Sequence, residues 1–562
     1  MEKLIKYKYY LFFIISFILY GNTIKNDYSL DDNFVTNNNI TTKGLSSIPK
    51  IFTTHYATYD DGRGFEYRPI VKLSFAIEHQ FFGVNVHLGH FINILLYALC
   101  LIVLFKTLVL IFSENQIQLI FLSVLIFAFL PIHSEVVASL KNRDVLLCFI
   151  FSFMSFINFH NGIHFNKKSK IFFGFIFLIT ALLSKLDALP MLALFPLIIF
   201  YKTSINFKKI VMICISIVAL FFLYKTFQSF MLNDEMISKR HSYFFENPLF
   251  TNKSLLLKIS TSLNALGFYI KSFFIPFHFS SYYGFNTIPV YSFFSTYSII
   301  GIITIVFSCI GIFKFYKSPN HPILIGILFF IVSISMFLNF AKPVPGIVGE
   351  RFVFFASIGL SILLSYFLLN IIKNKKATIS FIFIITVSFS TSIIKRNKDW
   401  KSEKTLFESD LKNNPNSAKL NILCANELIT EIKKNNLKLS TDQIIYKTNV
   451  AKGYLLKAYS LDSTYYKISN NLGFIAMSID NNPTDAIKWF KKSLKLSKSN
   501  YELNLNIGLC YAKHNKLDSA DRYFIKAFSI NPKNQKLKSD LYNYYKTTNQ
   551  QEKYKIIYQK IY

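Results

Sequence analysis

The sequence predicts an all-α protein in two parts, a polytopic membrane domain of about eleven transmembrane helices over residues 1–394 and a C-terminal α-solenoid over 413–562, joined by a juxtamembrane connector at 395–412. Three observations predict it. The 562-residue chain is 52% hydrophobic and 17% aromatic, with 62 Phe against 19 Gly. Long apolar runs recur as far as Ile394 and then stop, and crossing hydrocarbon takes roughly 17–25 residues of helix. Beyond that point small and aromatic residues return at the spacing of stacked helix pairs.

Lys3, Lys6 and Lys8 precede the first apolar run, and no small-x-small cleavage pattern closes it. It is therefore expected to be a retained first span with a cytoplasmic N-terminus. The next apolar run begins near Leu88, so residues 22–87 form a large first loop on the far side of the membrane. Further spans are expected at about 88–112, 117–131, 145–159, 171–184, 188–201, 209–227, 295–316, 322–340, 352–373 and 378–394.

Alternation from a cytoplasmic start places Lys167, Lys168 and Lys170, then Lys202, Lys208 and Lys209, then Lys314 and Lys317, then Lys373, Lys375 and Lys376, all in cytoplasmic loops. That is where positive charge belongs. The turn at Ser113–Gln116 has no Lys or Arg. Residues 263–277 are apolar but carry Lys271 and Pro276, and counting them as a span would move the basic loops to alternating sides. They are expected to form an interfacial or re-entrant helix. An odd number of spans sends the tail to the far side too, which its basicity does not forbid, since long domains translocate largely regardless of charge.

In the tail, Gly508, Tyr511, Ala520, Phe524, Ala527 and Pro532 have the spacing of a tetratricopeptide helix pair. Small residues there let two helices approach while aromatics fill the groove between them. Gly473, Ala486 and Phe490 repeat the pattern one unit earlier with one inserted residue, and Ala451, Leu455 and Ala458 give half of a still earlier unit. The period is lost over 421–447. Stacked units of this kind bind extended peptide or serve as a structural cap.

The formal charge is +31, and residues 395–562 hold 30 Lys and Arg against 15 Asp and Glu, spread rather than clustered. This reads as a solvated basic surface facing anionic lipid headgroups, with no nucleic acid partner. The six cysteines form no CxxC, so neither a zinc site nor a disulfide framework is indicated.

The predicted topology puts most charges of the greasy half into far-side loops: Asp31 and Asp32; Glu66, Arg68 and Glu78; His133, Glu135, Arg143 and Asp144; Lys185 and Asp187; Lys342, Glu350 and Arg351. Ionisable groups at membrane depth are functional candidates. One chemistry that suits them is transfer from a lipid-phosphate donor, whose tail lies in the bilayer while cations meet its phosphate. Asp31 or Asp32 would be the base for a hydroxyl acceptor, and Arg351, Arg143 and Lys185 would stabilise the leaving phosphate. A single base attacking in line would invert the anomeric carbon. Against this stand structural ion pairs between sequence neighbours, Arg143 with Asp144 or Arg351 with Glu350. His87 and His90 share a helix face and fit local hydrogen bonding better than a metal site. Asp31 with Asp32 would suit a divalent cation through oxygen, but no third ligand is evident and the metal stays unassigned.

YSLDDNFVTNN, EYRPIVKLSFAIEHQFFGVNVHLGHFINILLY, PIHSEVVASLKNRDVLL, SKLDALPMLAL, FYIKSFFIPFHFSSYYGF, GERFVFFASIGLSILLSYFL and NKDWKSEKTLFESDLKNNPNSAKLNI follow one another along nearly the whole chain. Their order resembles the transmembrane and tetratricopeptide repeat O-mannosyltransferases, polytopic glycosyltransferases of the GT-C superfamily. The resemblance implies an eleven-span fold, a polyprenyl- or dolichyl-phosphate sugar donor and an acidic motif matching Asp31 and Asp32. It also implies roles near the donor for His133, Glu135, Arg143, Lys185, Glu350 and Arg351; Arg68 and Glu78, from the far-side charges, are candidates for binding donor phosphate or substrate beside them. The chain departs from the family at Lys185-Leu186-Asp187, where Lys-Glu is usual, and at Pro131-Ile132-His133, where His-Pro is usual.

The function expected is therefore a membrane glycosyltransferase moving a hexose, mannose by resemblance, to protein Ser/Thr or a glycan on the outer face of the plasma or inner membrane, with the repeats engaging the acceptor. Two other readings stand beside it. One is a non-catalytic scaffold whose repeats recruit envelope proteins, and the other is a lipid-linked sugar ligase or flippase. Neither the sugar nor the acceptor is encoded in residue spacing.

Overall fold

The computed structural model describes residues 5–58, 64–202, 207–232, 242–370, 375–435, 438–548 and 550–561. Lys3, Lys373 and residues 59–63 of the first loop, all part of the sequence reading, lie outside the described residues. The described chain is almost entirely helical, with one antiparallel pair of two-residue strands, Ala57–Thr58 with Gly64–Phe65. It divides into two compact units, residues 1–242 with 246–413, and residues 243–245 with 414–562.

In the first unit, five described helices are long and apolar enough to cross a membrane: Val86–Phe112, Arg143–His164, Ile210–Leu232, Thr296–Phe315 and Lys376–Asp399. A sixth candidate, Glu114–Ala128 with Pro131–Ala138, is bent by 57° at its break. Pro131 has no N–H to continue the ladder, which ends the first half there. Lys8–Tyr20, Pro322–Ile334 and Ser357–Asn370 are shorter apolar helices.

Without a hydrophobic drive between helices in lipid, small residues set the close crossings. A Cβ on Gly267 would meet the Tyr297 carbonyl oxygen, and one on Gly301 would meet that of Leu263, which fixes helix Leu255–Phe274 against Thr296–Phe315. Gly326 and Gly359 do the same for Pro322–Ile334 and Ser357–Asn370. Helix Leu255–Phe274 covers residues 263–274 of the expected 263–277 segment, ending three residues short of it and starting eight residues earlier, where Ser254 caps the Leu257 N–H.

Helix Lys376–Asp399 ends beside the residues that follow helix Lys8–Tyr20. Asn397 Nδ2 donates to Leu19 O at 2.9 Å and to Asn22 Oδ1 at 2.8 Å, and Asn26 Nδ2 donates to Asn397 O at 3.1 Å. Trp400 is fully buried, and its carbonyl accepts from Ser29 Oγ. Helix Glu403–Asn413 is then tied down by Asp410, which accepts from Arg396 at 2.7 Å and from the Ser281 N–H at 2.7 Å.

The second unit is a run of helix hairpins: Ala418–Asn435 with Thr441–Leu461, Tyr466–Ser478 with Pro483–Leu496, Tyr501–Lys513 with Leu517–Ile530, and Gln535–Thr547 with Gln551–Ile561. A Cβ on Gly473 would strike the Phe490 ring, and one on Gly508 the Phe524 ring. The residues spaced as a repeat are thus the ones that touch. The first hairpin has helices of 18 and 21 residues where the next has 13 and 14, and this extra length is why the period fades there.

Candidate functional site

Asp31 and Asp32 stand at the start of a one-turn helix, Asp32–Val35, which the chain enters through Leu30 at φ 52°. The turn sends the two side chains to different places. Asp32 is fully buried: Oδ1 accepts from Ser139 Oγ at 2.9 Å and the Lys141 N–H at 2.8 Å, and Oδ2 accepts from the Ser29 N–H at 3.1 Å. Burial pushes its carboxyl up to about 6, against the pull of these donors. Asp31 keeps a side chain 54% exposed, with the Lys141 ammonium 3.6 Å away.

Around Glu66 the loops bring together four cations. Arg68 pairs with Glu66 at 2.5 Å and with Asp144. Lys185 reaches Asp144 at 3.2 Å and Asp187 at 3.4 Å. Arg351 donates to Glu135 Oε1 at 2.5 Å, and its N–H bonds Glu135 Oε2 at 3.1 Å. Lys141 completes the set. Burial raises the Glu66 carboxyl, but Arg68, Lys141, Lys185 and Arg351 act together on it and leave it below the usual carboxylate range. Burial lowers the Lys141 ammonium to about 8, opposed by Asp31 and Glu66. Burial likewise lowers Lys185, with Arg68 and Arg351 adding to the effect and Asp187 and Glu66 opposing it. The side chain of Arg351 is 24% exposed and that of Glu66 46%, so the cluster opens to the outside through these two and Asp31.

The ion pairs expected between sequence neighbours do not form. Arg143 turns from Asp144 to Glu78 at 2.8 Å, Asn93 Oδ1 at 3.0 Å and the Gly89 carbonyl at 3.1 Å, with its guanidinium over the Phe75 ring at 4.0 Å. Consecutive residues on a helix point about 100° apart, so partners come from other elements. Glu350 turns from Arg351 to the Ser280 N–H and the Tyr283 hydroxyl, each 2.9 Å away, and burial pushes its carboxyl up to about 8.

Of the residues singled out in the sequence, Asp31, Glu66, Arg68, Glu135, Asp144, Lys185, Asp187 and Arg351 come together. Asp32 braces the loops beneath them. Glu78, Arg143, His133 and Glu350 lie buried in contacts of their own. His133 is held by Tyr97 OH at 3.1 Å and Ser357 Oγ at 3.0 Å, between the Phe127 and Phe354 rings. Lys342 is exposed and near Lys225. His87 Nδ1 lies 2.8 Å from the Ile24 carbonyl, 63 residues away in sequence, so its bond is not the local one expected. Lys141 was not singled out in the sequence, although it sits between Glu135 and Arg143 in a loop full of candidates. Among the described residues, no group of three or more His, Cys, Asp and Glu is placed to hold a metal ion.

The fold and this cluster define a class: an all-helical membrane protein that gathers four cations around an exposed carboxylate from several loops. No family model matches the chain. It is 30% identical over 157 residues to Protein O-mannosyl-transferase TMTC1 of Homo sapiens, covering 26% of this chain and 17% of that protein. It is 22% identical over 510 residues to Protein O-mannosyl-transferase TMTC3 of Homo sapiens, covering 83% of this chain and 54% of that protein. The chain is thus related in sequence to the TMTC proteins, and it spans about half or less of the length of these curated relatives. Among solved structures, that of MamA overlays 31% of this chain and 91% of its own at 19% identity and a TM-score of 0.24.

Proposed function

We propose that this chain is a membrane glycosyltransferase of the GT-C type, with eleven spans and a cytoplasmic N-terminus. It moves a hexose, mannose by relation to the TMTC proteins, from a polyprenyl-phosphate donor to a Ser/Thr hydroxyl on the non-cytoplasmic face, and tetratricopeptide repeats at 413–562 engage the acceptor. The observation that carries this reading is the meeting of Arg68, Lys141, Lys185 and Arg351 near Glu66, with Arg68 paired to Glu66 and Lys141 3.6 Å from the exposed Asp31.

In this reading Asp31 takes the proton from the acceptor hydroxyl as its oxygen attacks the anomeric carbon. The bond from that carbon to the phosphate oxygen breaks, and its electron pair leaves with the polyprenyl phosphate. Arg351 and Lys141, the more accessible cations, meet the charge that develops there, while Arg68 and Lys185 hold the field behind them. Attack opposite the leaving group inverts the sugar. Asp32 acts by position only, since its oxygens are occupied by Ser29, Ser139 and Lys141.

The test is transfer from polyprenyl-phosphate mannose to an acceptor protein in proteoliposomes, with Asp31→Asn and Lys141→Ala compared with the unaltered chain. Loss of transfer in both with folding retained supports the assignment. Full transfer by Asp31→Asn removes the base and with it the mechanism.

A further inference from the structure

The segment that follows helix Leu255–Phe274 is gripped from two elements far from it in sequence. One is helix Glu403–Asn413, the last helix of the first unit. Asp410 Oδ2 accepts the Ser281 N–H at 2.7 Å and the Ser281 hydroxyl at 2.5 Å, and Asn413 Nδ2 donates to the Phe279 carbonyl at 3.0 Å. Asp410 is fully buried, and its Oδ1 takes the Arg396 guanidinium at 2.7 Å, which fixes the carboxylate between the two.

The other is the turn Glu350–Val353. Glu350 Oε1 accepts the Ser280 N–H and the Tyr283 hydroxyl, each at 2.9 Å. Its Oε2 has no hydrogen bond among the described residues, so Oε1 carries the polar attachment of a fully buried side chain. Tyr283 also forms an antiparallel bridge with Val348, two residues before Glu350. The residue after Glu350 is Arg351, a cation of the site, which meets Glu135 through its guanidinium and its N–H.

Residues 279, 280 and 281 are thus held in turn by Asn413, Glu350 and Asp410. Hydrogen bonds to a charged group are about twice as strong as neutral ones, so two carboxylates on consecutive N–H groups make this segment a stiff link. We propose that Asp410 is a positioning residue for Arg351, acting through Ser281, Ser280 and Glu350. Loss of its hold frees Ser281, then the Ser280 N–H, and with it the tether of the residue next to Arg351. A misplacement of about 1 Å at a group that meets developing charge costs on the order of 10²-fold in rate.

The link itself is independent of the transferase reading, and its use in catalysis rests on that reading, so each is measured separately. Hydrogen exchange of the full chain in nanodiscs reads the link. In Asp410→Asn, whose single oxygen cannot serve both Arg396 and Ser281, the peptides containing Ser280–Ser281 and Glu350–Val353 are expected to exchange about tenfold faster, with helix Val86–Phe112 unchanged. Asn413→Ala, at an exposed position, is expected to move the same peptides less, and it decides the question if Asp410→Asn does not fold. Transfer from polyprenyl-phosphate mannose reads the use. Asp410→Asn is expected to lower kcat/KM for the donor about tenfold in the unaltered background and not at all when Arg351→Lys is already present, because the one acts through the other. Unchanged exchange over 350–353 in a folded variant overturns the proposal. So do losses that multiply in the double variant, which would place Asp410 on another path. If the unaltered chain transfers no sugar, the transferase reading falls and the exchange result alone decides the link.

Discussion

Asp32 Oδ1 accepts the backbone N–H of Lys141 at 2.8 Å, while the Lys141 ammonium lies 3.6 Å from the carboxylate of the preceding residue, Asp31. One residue of the second loop therefore answers both acids, its backbone fixing the buried one and its side chain facing the exposed one. Asp31→Asn is expected to lower transfer by about 10²–10⁴-fold, the range for loss of a positioned base, with little change in melting temperature. Asp32→Asn puts an amide against donors that need an acceptor, and is expected to cost about 1–3 kcal/mol of stability. Thermal melting in detergent beside a transfer assay separates the two effects.

Arg351 holds Glu135 through both its guanidinium and its backbone N–H. Arg351→Lys keeps a charge but loses the planar fork. It is expected to reduce kcat about 10-fold or more with KM for the donor also raised, and Glu135→Gln should shift the same two constants. A variant that alters the sugar acceptor's KM alone would place Arg351 on the other substrate.

Glu350 has its carboxyl raised by burial to about 8 from a usual 4.5. A raised carboxyl favours the folded state fully below the unfolded value, and that stability is lost as pH rises from about 4.5 through 8. Glu350→Gln keeps the oxygen that accepts from Ser280 and Tyr283 and has no such loss. Melting temperatures of the two proteins should diverge in favour of the Gln variant as pH rises from 5 to 8, then run parallel. Parallel curves throughout would mean that Glu350 is charged in the fold.

Gly267→Ala places a methyl into the Tyr297 carbonyl. Overpacking of this kind costs about 1–3 kcal/mol, and the backbone contact offers no flexible side chain to yield. A lower melting temperature, restored in part by nothing short of Gly, is the expected result, checked against Gly453→Ala, where a Cβ meets open space.

Phe245 is buried in the core of the second unit with Ala425, Leu455 and Tyr465, although it precedes that unit by more than a hundred and fifty residues of sequence. Its ring lies 4.9 Å from that of Tyr465. Phe245→Ala is expected to destabilise this unit by about 3–5 kcal/mol. A fragment of residues 414–562 should melt lower than the same fragment with residues 242–246 fused to it, read by circular dichroism.

The sequence alone was enough to read apolar runs, basic loops and the spacing of Gly473 with Phe490 and Gly508 with Phe524, because these are local or periodic quantities that a chain carries in one dimension. A Ser-x-x-Gln capping box at Ser440 and Gln443 was there to be read as well, and marks a helix start where the repeat period fails. Only the tertiary structure decided which charge meets which. Arg143 finds Glu78 across 65 residues and Arg351 finds Glu135 across 216, and their adjacent acids go elsewhere. The reason is physical: a buried charge takes whatever partner the packing of several helices delivers at hydrogen-bond distance. The same packing separated Asp31 from Asp32, two identical side chains in sequence, into one that is exposed and one that is buried and holds the loops in place.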